Sequence, residues 1–135
     1  MTPRGKAVLA VTVAVVIAAL VWVWRLGGDD ATLDLRAGTP SYAVRLTVAD
    51  PRVGANSVLV ELTDTDGRPV AADEVTVEPV MVDMGHALTP VTAVAEGGGR
   101  YRADRTDLPM AGPWEITVAV RRASTTEHAV FSLIV

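Results

Sequence analysis

Stretches in which β-branched or aliphatic residues alternate with polar ones limit the fold of this chain more than any other feature. Two clear examples are YAVRLTVA, residues 42–49, and SVLVELTD, residues 57–64. Period-two alternation is typical of a strand with one buried and one solvated face. Turn signals such as Asp66-Gly67 and the three glycines 97–99 separate these stretches. Seven of them follow one another along the chain: residues 42–49, 57–64, 74–82, 91–96, 100–104, 114–121 and 127–135.

This pattern predicts an all-β fold, namely an immunoglobulin-like antiparallel β-sandwich of about seven strands. About 100 residues is the usual size of such a domain, although the period alone does not distinguish a sandwich from a small barrel. Pro79 lies inside the third stretch, and because proline has no N–H to donate, it predicts an edge strand or a bulge there. We expect no helix outside the apolar segment near the start of the chain.

That apolar segment runs from Ala7 to Trp24, 18 residues without a charge. About 17–25 apolar residues suffice for a helix to span a bilayer, so we expect a single N-terminal transmembrane helix. Trp22 and Trp24 stand at its end, where indoles favour the lipid–water interface. Basic residues precede it and aspartates follow it, which predicts a cytoplasmic N-terminus and an extracytoplasmic remainder.

A cleavable signal peptide is the alternative interpretation of the apolar segment. It requires small residues in an A-x-A pattern after the apolar core, whereas the segment here ends VWVWRLGG. We therefore expect a retained signal anchor in the cell membrane. The predicted organisation is a cytoplasmic stub and anchor (residues 1–25), a polar linker (residues 26–40) and an extracytoplasmic β-domain (residues 41–135).

Composition restricts the partners and the chemistry of the predicted outer domain. Beyond the anchor, nine basic residues face sixteen acidic ones, so nucleic acid is not an expected partner. The chain has no cysteine, which excludes disulfides, thiolate metal sites and a lipid-anchored lipoprotein. No GxSxG, P-loop, dinucleotide-binding or HExxH motif is present, so we predict that the protein is not an enzyme.

The hexapeptide MVDMGH, residues 81–86, concentrates the scarce sulfur and imidazole groups of the chain. It holds Met81, Met84 and His86, although the whole chain has four methionines and two histidines. Thioethers and imidazoles suit Cu(I), because soft donors match a soft cation. Gly85 would let the chain leave strand geometry between Met84 and His86. The other non-initiator methionine, Met110, lies in the loop LPMAGPW.

If these two loops meet at one end of the sandwich, Met84, His86 and Met110 can form a three-ligand copper site, with Met81 as an additional ligand. Packing explains some of the same residues without a metal. Met81 in a strand is more often a core residue, and Met110 can pack its sulfur against Trp114. The second histidine, His128, has no methionine near it in sequence and is expected to face solvent.

Three motifs resemble those of the YtkA-like domain family, which is related to FixH-type proteins. They are the segment from Met81 to His86, the pair Gly99 and Tyr101, and the segment from Met110 to Trp114. In that family they correspond to a Met-x-x-Met-Gly-His segment, a Gly-x-Tyr strand and a Met-x-Gly-x-Trp loop. The resemblance covers about the last 95 residues and keeps the order of the motifs. It implies a membrane-anchored extracytoplasmic immunoglobulin-like domain, placed alongside copper transport and respiratory oxidase assembly.

Two functions follow as hypotheses. The first is an accessory protein that binds or delivers Cu(I) through methionine and histidine ligands, with a copper-requiring membrane protein or an oxidase assembly factor as partner. The second is a metal-free structural or interaction module that contacts a membrane or envelope protein complex. A donor set held close together favours the first, and donors held far apart favour the second.

Overall fold

The computed structural model of the chain describes residues 11–20 and 32–135. The chain divides into two compact units, Met1–Asp30 and Ala31–Val135. Residues 11–20 are helical, and much of the predicted anchor, including both of its tryptophans, lies outside the described residues. Among the described residues, none of the helices has the length and apolar character needed to cross a membrane.

The second unit consists of ten strands joined by turns, and it has one short 3-10 helix at Val82–Met84. In chain order the strands are β1 (Leu33–Gly38), β2 (Ala43–Val48), β3 (Gly54–Thr63), β4 (Glu74–Met81), β5 (His86–Ala87), β6 (Val91–Thr92), β7 (Val94–Gly97), β8 (Arg100–Leu108), β9 (Pro113–Arg122) and β10 (Thr125–Ile134).

The strands form two antiparallel sheets. The first has the order β1-β2-β3-β8-β7, and the second has the order β10-β9-β4-β5, with β6 also paired to β4. The prediction of an all-β chain built as a β-sandwich is therefore confirmed at this level.

Strand number and bounds differ from the prediction of about seven strands. The linker assigned to residues 26–40 contains β1, whose Leu33, Leu35 and Ala37 alternate with polar residues and pack against the core. The expected strand at residues 91–96 is split, because β6 pairs with the second sheet and β7 with the first. The loop expected after residue 104 starts later, since β8 continues to Leu108. The 3-10 turn was not expected at all.

Pro79 lies in β4, which has only the short strands β5 and β6 on one side, so its position is close to the edge strand that the sequence predicted. It stands in β4 opposite Ile116, and its carbonyl accepts a hydrogen bond from the Leu88 N–H at 2.9 Å. The N and C=O of one strand residue point to the same neighbour. The missing proline N–H therefore faces the side on which only the short strands β5 and β6 pair with β4, and no continuous ladder is lost.

The core lies between the inner faces of the two sheets. Strands β3, β4 and β9 alternate buried and half-buried residues along their length, which is the pattern that period-two alternation predicts. Trp114 in β9 is 1% exposed and is the largest fully buried side chain. Each buried aliphatic or aromatic side chain contributes about 1.5–3 kcal/mol relative to full exposure, so this layer holds the sandwich together.

Charged side chains pair across the solvated face of the first sheet. Arg45 donates its Nε–H to Asp34 Oδ1 at 2.9 Å. Its Nη1 lies 3.4 Å from Glu61 Oε2. The hydrogen bond from Arg45 holds the pKa of the Asp34 carboxyl below its ordinary value. These groups are exposed, and exposed pairs contribute little to stability, so they fix the position of β1 beside β2 more than they stabilise the fold.

Gly99 lies at a very close approach between β8 and its neighbours. Its φ is +77°, and a Cβ built on it would lie 2.6 Å from the Leu62 carbonyl oxygen. The Leu62 N–H donates to the Gly99 carbonyl at 2.8 Å, and the Leu62 carbonyl accepts from the Val70 N–H. Any side chain at position 99 must therefore break these backbone contacts.

We predict that Gly99→Ala destabilises the domain by about 3 kcal/mol or more, because positive-φ strain adds to a backbone clash. Gly98→Ala is the matched control, since Gly98 also has a positive φ of +63° but has nothing within 4 Å of a built Cβ. It should cost only about 1–2 kcal/mol. Urea unfolding of both variants measures the difference, and equal losses would show that the close approach is absent.

Candidate metal site

The segment MVDMGH begins at the end of β4 and turns back on itself. Met81 is the last residue of the strand, and the 3-10 turn Val82–Met84 follows it. Gly85 has a φ of +59°, and its N–H donates to the Val82 carbonyl at 3.3 Å. The left-handed conformation favours glycine. Gly85 thus lets the chain leave strand geometry, as the sequence predicted, and His86 then starts β5.

His86 returns to a position beside Met81. The two residues are directly opposite in the β4–β5 ladder, and Met81 is also opposite Trp114 in the β4–β9 ladder. Directly opposite residues of an antiparallel pair project to the same face of the sheet. The row Trp114, Met81 and His86 therefore crosses the second sheet with all three side chains on its inner side, and His86 stands at the solvent-exposed end of that row.

The loop that carries Met110 connects β8 to β9. The Trp114 indole Nε1–H donates to the Met110 carbonyl at 2.9 Å. Gly112 and Val135 exchange two backbone hydrogen bonds, of 2.9 and 3.2 Å. A Cβ built on Gly112 would lie 3.8 Å from the Met81 Cε, so the Met81 methyl packs beside this loop. The loop is thus held by the Trp114 indole, by Val135 directly after β10 and by the Met81 side chain.

The two loops lie at the same end of the sandwich. Met81 is opposite Trp114 on the neighbouring strand. The turn that follows Met81 and the loop that precedes Trp114 therefore lie at the same end of the two strands. The 3-10 turn packs against β9 accordingly. We call this the site end of the β-domain, defined by the 3-10 turn Val82–Met84, by His86 and by the loop 109–112.

The four predicted ligands differ in their access to solvent. Met84 is 68% exposed and Met110 is 50% exposed, and His86 is exposed as well. Met81 is 8% exposed and belongs to the hydrophobic core. The packing interpretation therefore describes the surroundings of Met81 well. The other three side chains are accessible to a metal ion from solvent. His128 is exposed in β10, as expected.

The side chains at the site end suit a soft cation. Two accessible thioethers and one imidazole are donors that Cu(I) accepts, and hard cations such as Mg²⁺ or Ca²⁺ prefer oxygen. Within residues 11–20 and 32–135, no three His, Cys, Asp or Glu side chains are grouped as a metal site. Thioethers fall outside that class of ligand, so the donor set to consider here is the one formed by methionines and His86.

Sequence reasoning missed how the Met110 loop is held. The sequence suggested packing of the Met110 sulfur on Trp114, whereas the structure shows that the buried indole donates its N–H to the Met110 carbonyl. The spacing of four residues between Met110 and Trp114 was the available signal, together with the need of a buried indole N–H for an acceptor.

A pocket of about 500 Å³ opens on the first sheet, away from the site end. It is lined by Arg36, Arg45, Glu61 and Thr63 among others, and Arg45 and Glu61 are already paired with each other. The methionine and histidine loops remain the candidate site.

Comparison with known proteins gives one match. The profile of a family described as YtkA-like matches residues 36–119, which is more than half of the chain. The matched region starts in β1 and ends in β9, so it includes both loops of the site end. No curated protein and no solved structure matches the chain.

We predict different stability costs for the methionines of the site end. Met81→Ala should destabilise the domain by about 2–4 kcal/mol, because it opens a cavity in the core. Met84→Ala and Met110→Ala should change stability by less than about 0.5 kcal/mol, as is usual at exposed positions. Thermal unfolding of the three metal-free variants checks this order. A loss at Met84 as large as that at Met81 would contradict the placement of Met84 in solvent.

Proposed function

Since the chain belongs to the YtkA-like family, we propose that it is a membrane-anchored, extracytoplasmic accessory protein that binds Cu(I) and delivers it to a partner. Its β-domain would be a sandwich of the immunoglobulin type. In this proposal residues 7–24 anchor the chain in the cell membrane as a single helix with a cytoplasmic N-terminus. The protein carries out no chemical transformation of its own.

One observation carries this proposal. Met84, His86 and Met110 lie at the same end of the sandwich, although His86 and Met110 are 24 positions apart in sequence. Soft donors are rare in the chain, so their occurrence at one end is not explained by composition. The core holds the first loop through Met81, and Trp114 holds the second.

Each residue has a definite part in the proposed site. Met84, His86 and Met110 would hold Cu(I), and copper is the cargo rather than a resident cofactor. Met81 lies below the loops and keeps them in position through the core, and as a ligand it would be an additional one. Thioether and imidazole ligands do not form disulfides, so they suit a compartment in which thiols are oxidised.

Delivery fits this site better than storage. Three neutral donors on an exposed edge leave the metal open to attack by the ligands of another protein, whereas a storage site would enclose it. The expected partner is a copper-requiring membrane protein or a factor in the assembly of a respiratory oxidase. Nucleic acid is not expected, because the β-domain is acidic overall.

A second function is a metal-free module that contacts a membrane or envelope protein complex. The observation in its favour is that Met84, Met110 and Val82 are exposed apolar residues at the same end of the sandwich. Grouped apolar residues on a surface are typical of an interaction site. In this case the methionines would serve contact instead of coordination.

Titration with Cu(I) in competition with a chromophoric chelator separates the two functions. We predict that a variant carrying both Met84→Ala and His86→Ala loses at least about 100-fold in Cu(I) affinity, equal to about 2.7 kcal/mol. His128→Ala is the matched control, because His128 is the other exposed histidine and lies in β10. It should bind Cu(I) as the unaltered chain does. Equal affinity of the unaltered chain and the double variant would favour the metal-free module.

A further inference from the structure

The exposed large aliphatic side chains of the β-domain are concentrated at the site end. Among residues 32–135, seven such side chains are exposed, and two of these, Val94 and Val130, lie elsewhere, on the strands β7 and β10. The other five form what we call the apolar rim: Val53, Val82, Met84, Met110 and Ile134.

The ladders place all parts of the apolar rim at one end. Val53 directly precedes Gly54, which is opposite Leu108, and the Met110 loop follows Leu108. Ile134 is opposite Pro113, the first residue of β9. Val82 and Met84 belong to the 3-10 turn of the site end. The rim therefore spans both sheets, from the loop between β2 and β3 to the last strand.

The rim is built on ordered loops. Asn56 is buried, and its side chain organises the loop that carries Val53. The Asn56 Oδ1 accepts the Arg52 N–H at 3.0 Å, and the Asn56 Nδ2 donates to the Arg52 and Gly54 carbonyls at 2.8 and 3.0 Å. The Trp114 indole holds the Met110 loop. Apolar side chains on loops held in this way present a preformed surface, which lowers the entropic cost of binding.

The chain also enters the β-domain at this end. Leu33, the first residue of β1, is opposite Val48, the last residue of β2, and β2 leads into the loop with Val53. Only eight residues, 25–32, separate Trp24, at the end of the apolar segment, from Leu33. Eight residues therefore connect the proposed lipid anchor to β1, and β1 begins at the end of the β-domain where the rim lies.

The exposed charges on or next to the loops of the rim are mostly acidic. They are Asp50, Asp83, Asp107 and Arg52, and Arg52 lies 3.8 Å from the Asp50 carboxylate. A basic collar would indicate an anionic membrane surface, and this one does not. An apolar end with few charges and no basic collar fits the interfacial region of a zwitterionic bilayer, where apolar side chains enter and polar ones stay among the headgroups.

We propose that the apolar rim docks into the interfacial region of a zwitterionic lipid bilayer, so that the site end faces the membrane. This inference rests on the membrane anchoring in the proposed function. Burial of each large aliphatic side chain favours docking, and the anchor raises the local concentration of lipid around the rim. Cu(I) held by Met84, His86 and Met110 would then be handed over at the membrane surface, to a partner embedded in it.

The absence of cysteine allows a direct test with single-cysteine variants of the full chain. Val53→Cys and Ile134→Cys place a polarity-sensitive fluorophore in the rim without altering a proposed copper ligand. Val130→Cys is the matched control, because Val130 is 53% exposed and shares the outer face of β10 with Ile134, yet it lies opposite Thr117, four residues further from the site end. Each labelled chain is reconstituted into phosphatidylcholine vesicles at a low ratio of protein to lipid.

We expect the emission at positions 53 and 134 to shift to the blue relative to the water-exposed label and to be quenched by nitroxide-bearing lipids. Emission at position 130 should remain that of a label in water. Alkaline extraction of the same vesicles reports separately on the anchor. A chain that resists extraction while its rim labels stay in water would overturn the docking and leave the anchor intact, with a protein partner as the occupant of the rim. A chain that is extracted would overturn both.

Discussion

The register of Met81 between Trp114 and His86 is the constraint on which the rest of the site depends. Met81 ends a strand whose inner side chains are buried, so its side chain continues the core up to the edge of the sandwich. The next residues leave the strand and turn through a 3-10 helix and a left-handed Gly85. This places His86 beside Met81 and Met84 outside the core. The Met110 loop precedes Trp114 and therefore meets the turn at the same edge.

The fold and the proposed function share this geometry. A core that reaches the edge supplies rigid support, and short loops on that edge present the side chains that can bind. The soft donors and the exposed aliphatic residues occur at the same end because the loops of both sheets converge there. A copper site and a lipid-docking surface at one end are compatible, since delivery to an embedded partner requires the donors to face the membrane.

The sequence was most informative where period and packing agree. Alternation identified the long strands, because burial on one face imposes period two, and the scarcity of methionine and histidine identified the loops. The sequence was least informative where strand pairing in the folded domain determines whether a stretch becomes a strand, and in which sheet. The polar stretch with Leu33 and Leu35 was assigned to a linker, and residues 91–96 form strands in two different sheets. The apolar rim could not be predicted either, since Val53 and Ile134 join Met84 only through the ladders of the folded domain.

In the proposed copper site, the sulfurs of Met84 and Met110 and the imidazole of His86 converge on one Cu(I) ion. X-ray absorption at the copper edge of the Cu(I)-loaded chain tests this most directly, because sulfur and nitrogen neighbours scatter differently. We predict that both thioether sulfur and imidazole nitrogen are bound to copper, and that sulfur scattering is reduced in Met84→Leu and in Met110→Leu. A spectrum with nitrogen and oxygen neighbours alone, unchanged by both substitutions, would contradict it.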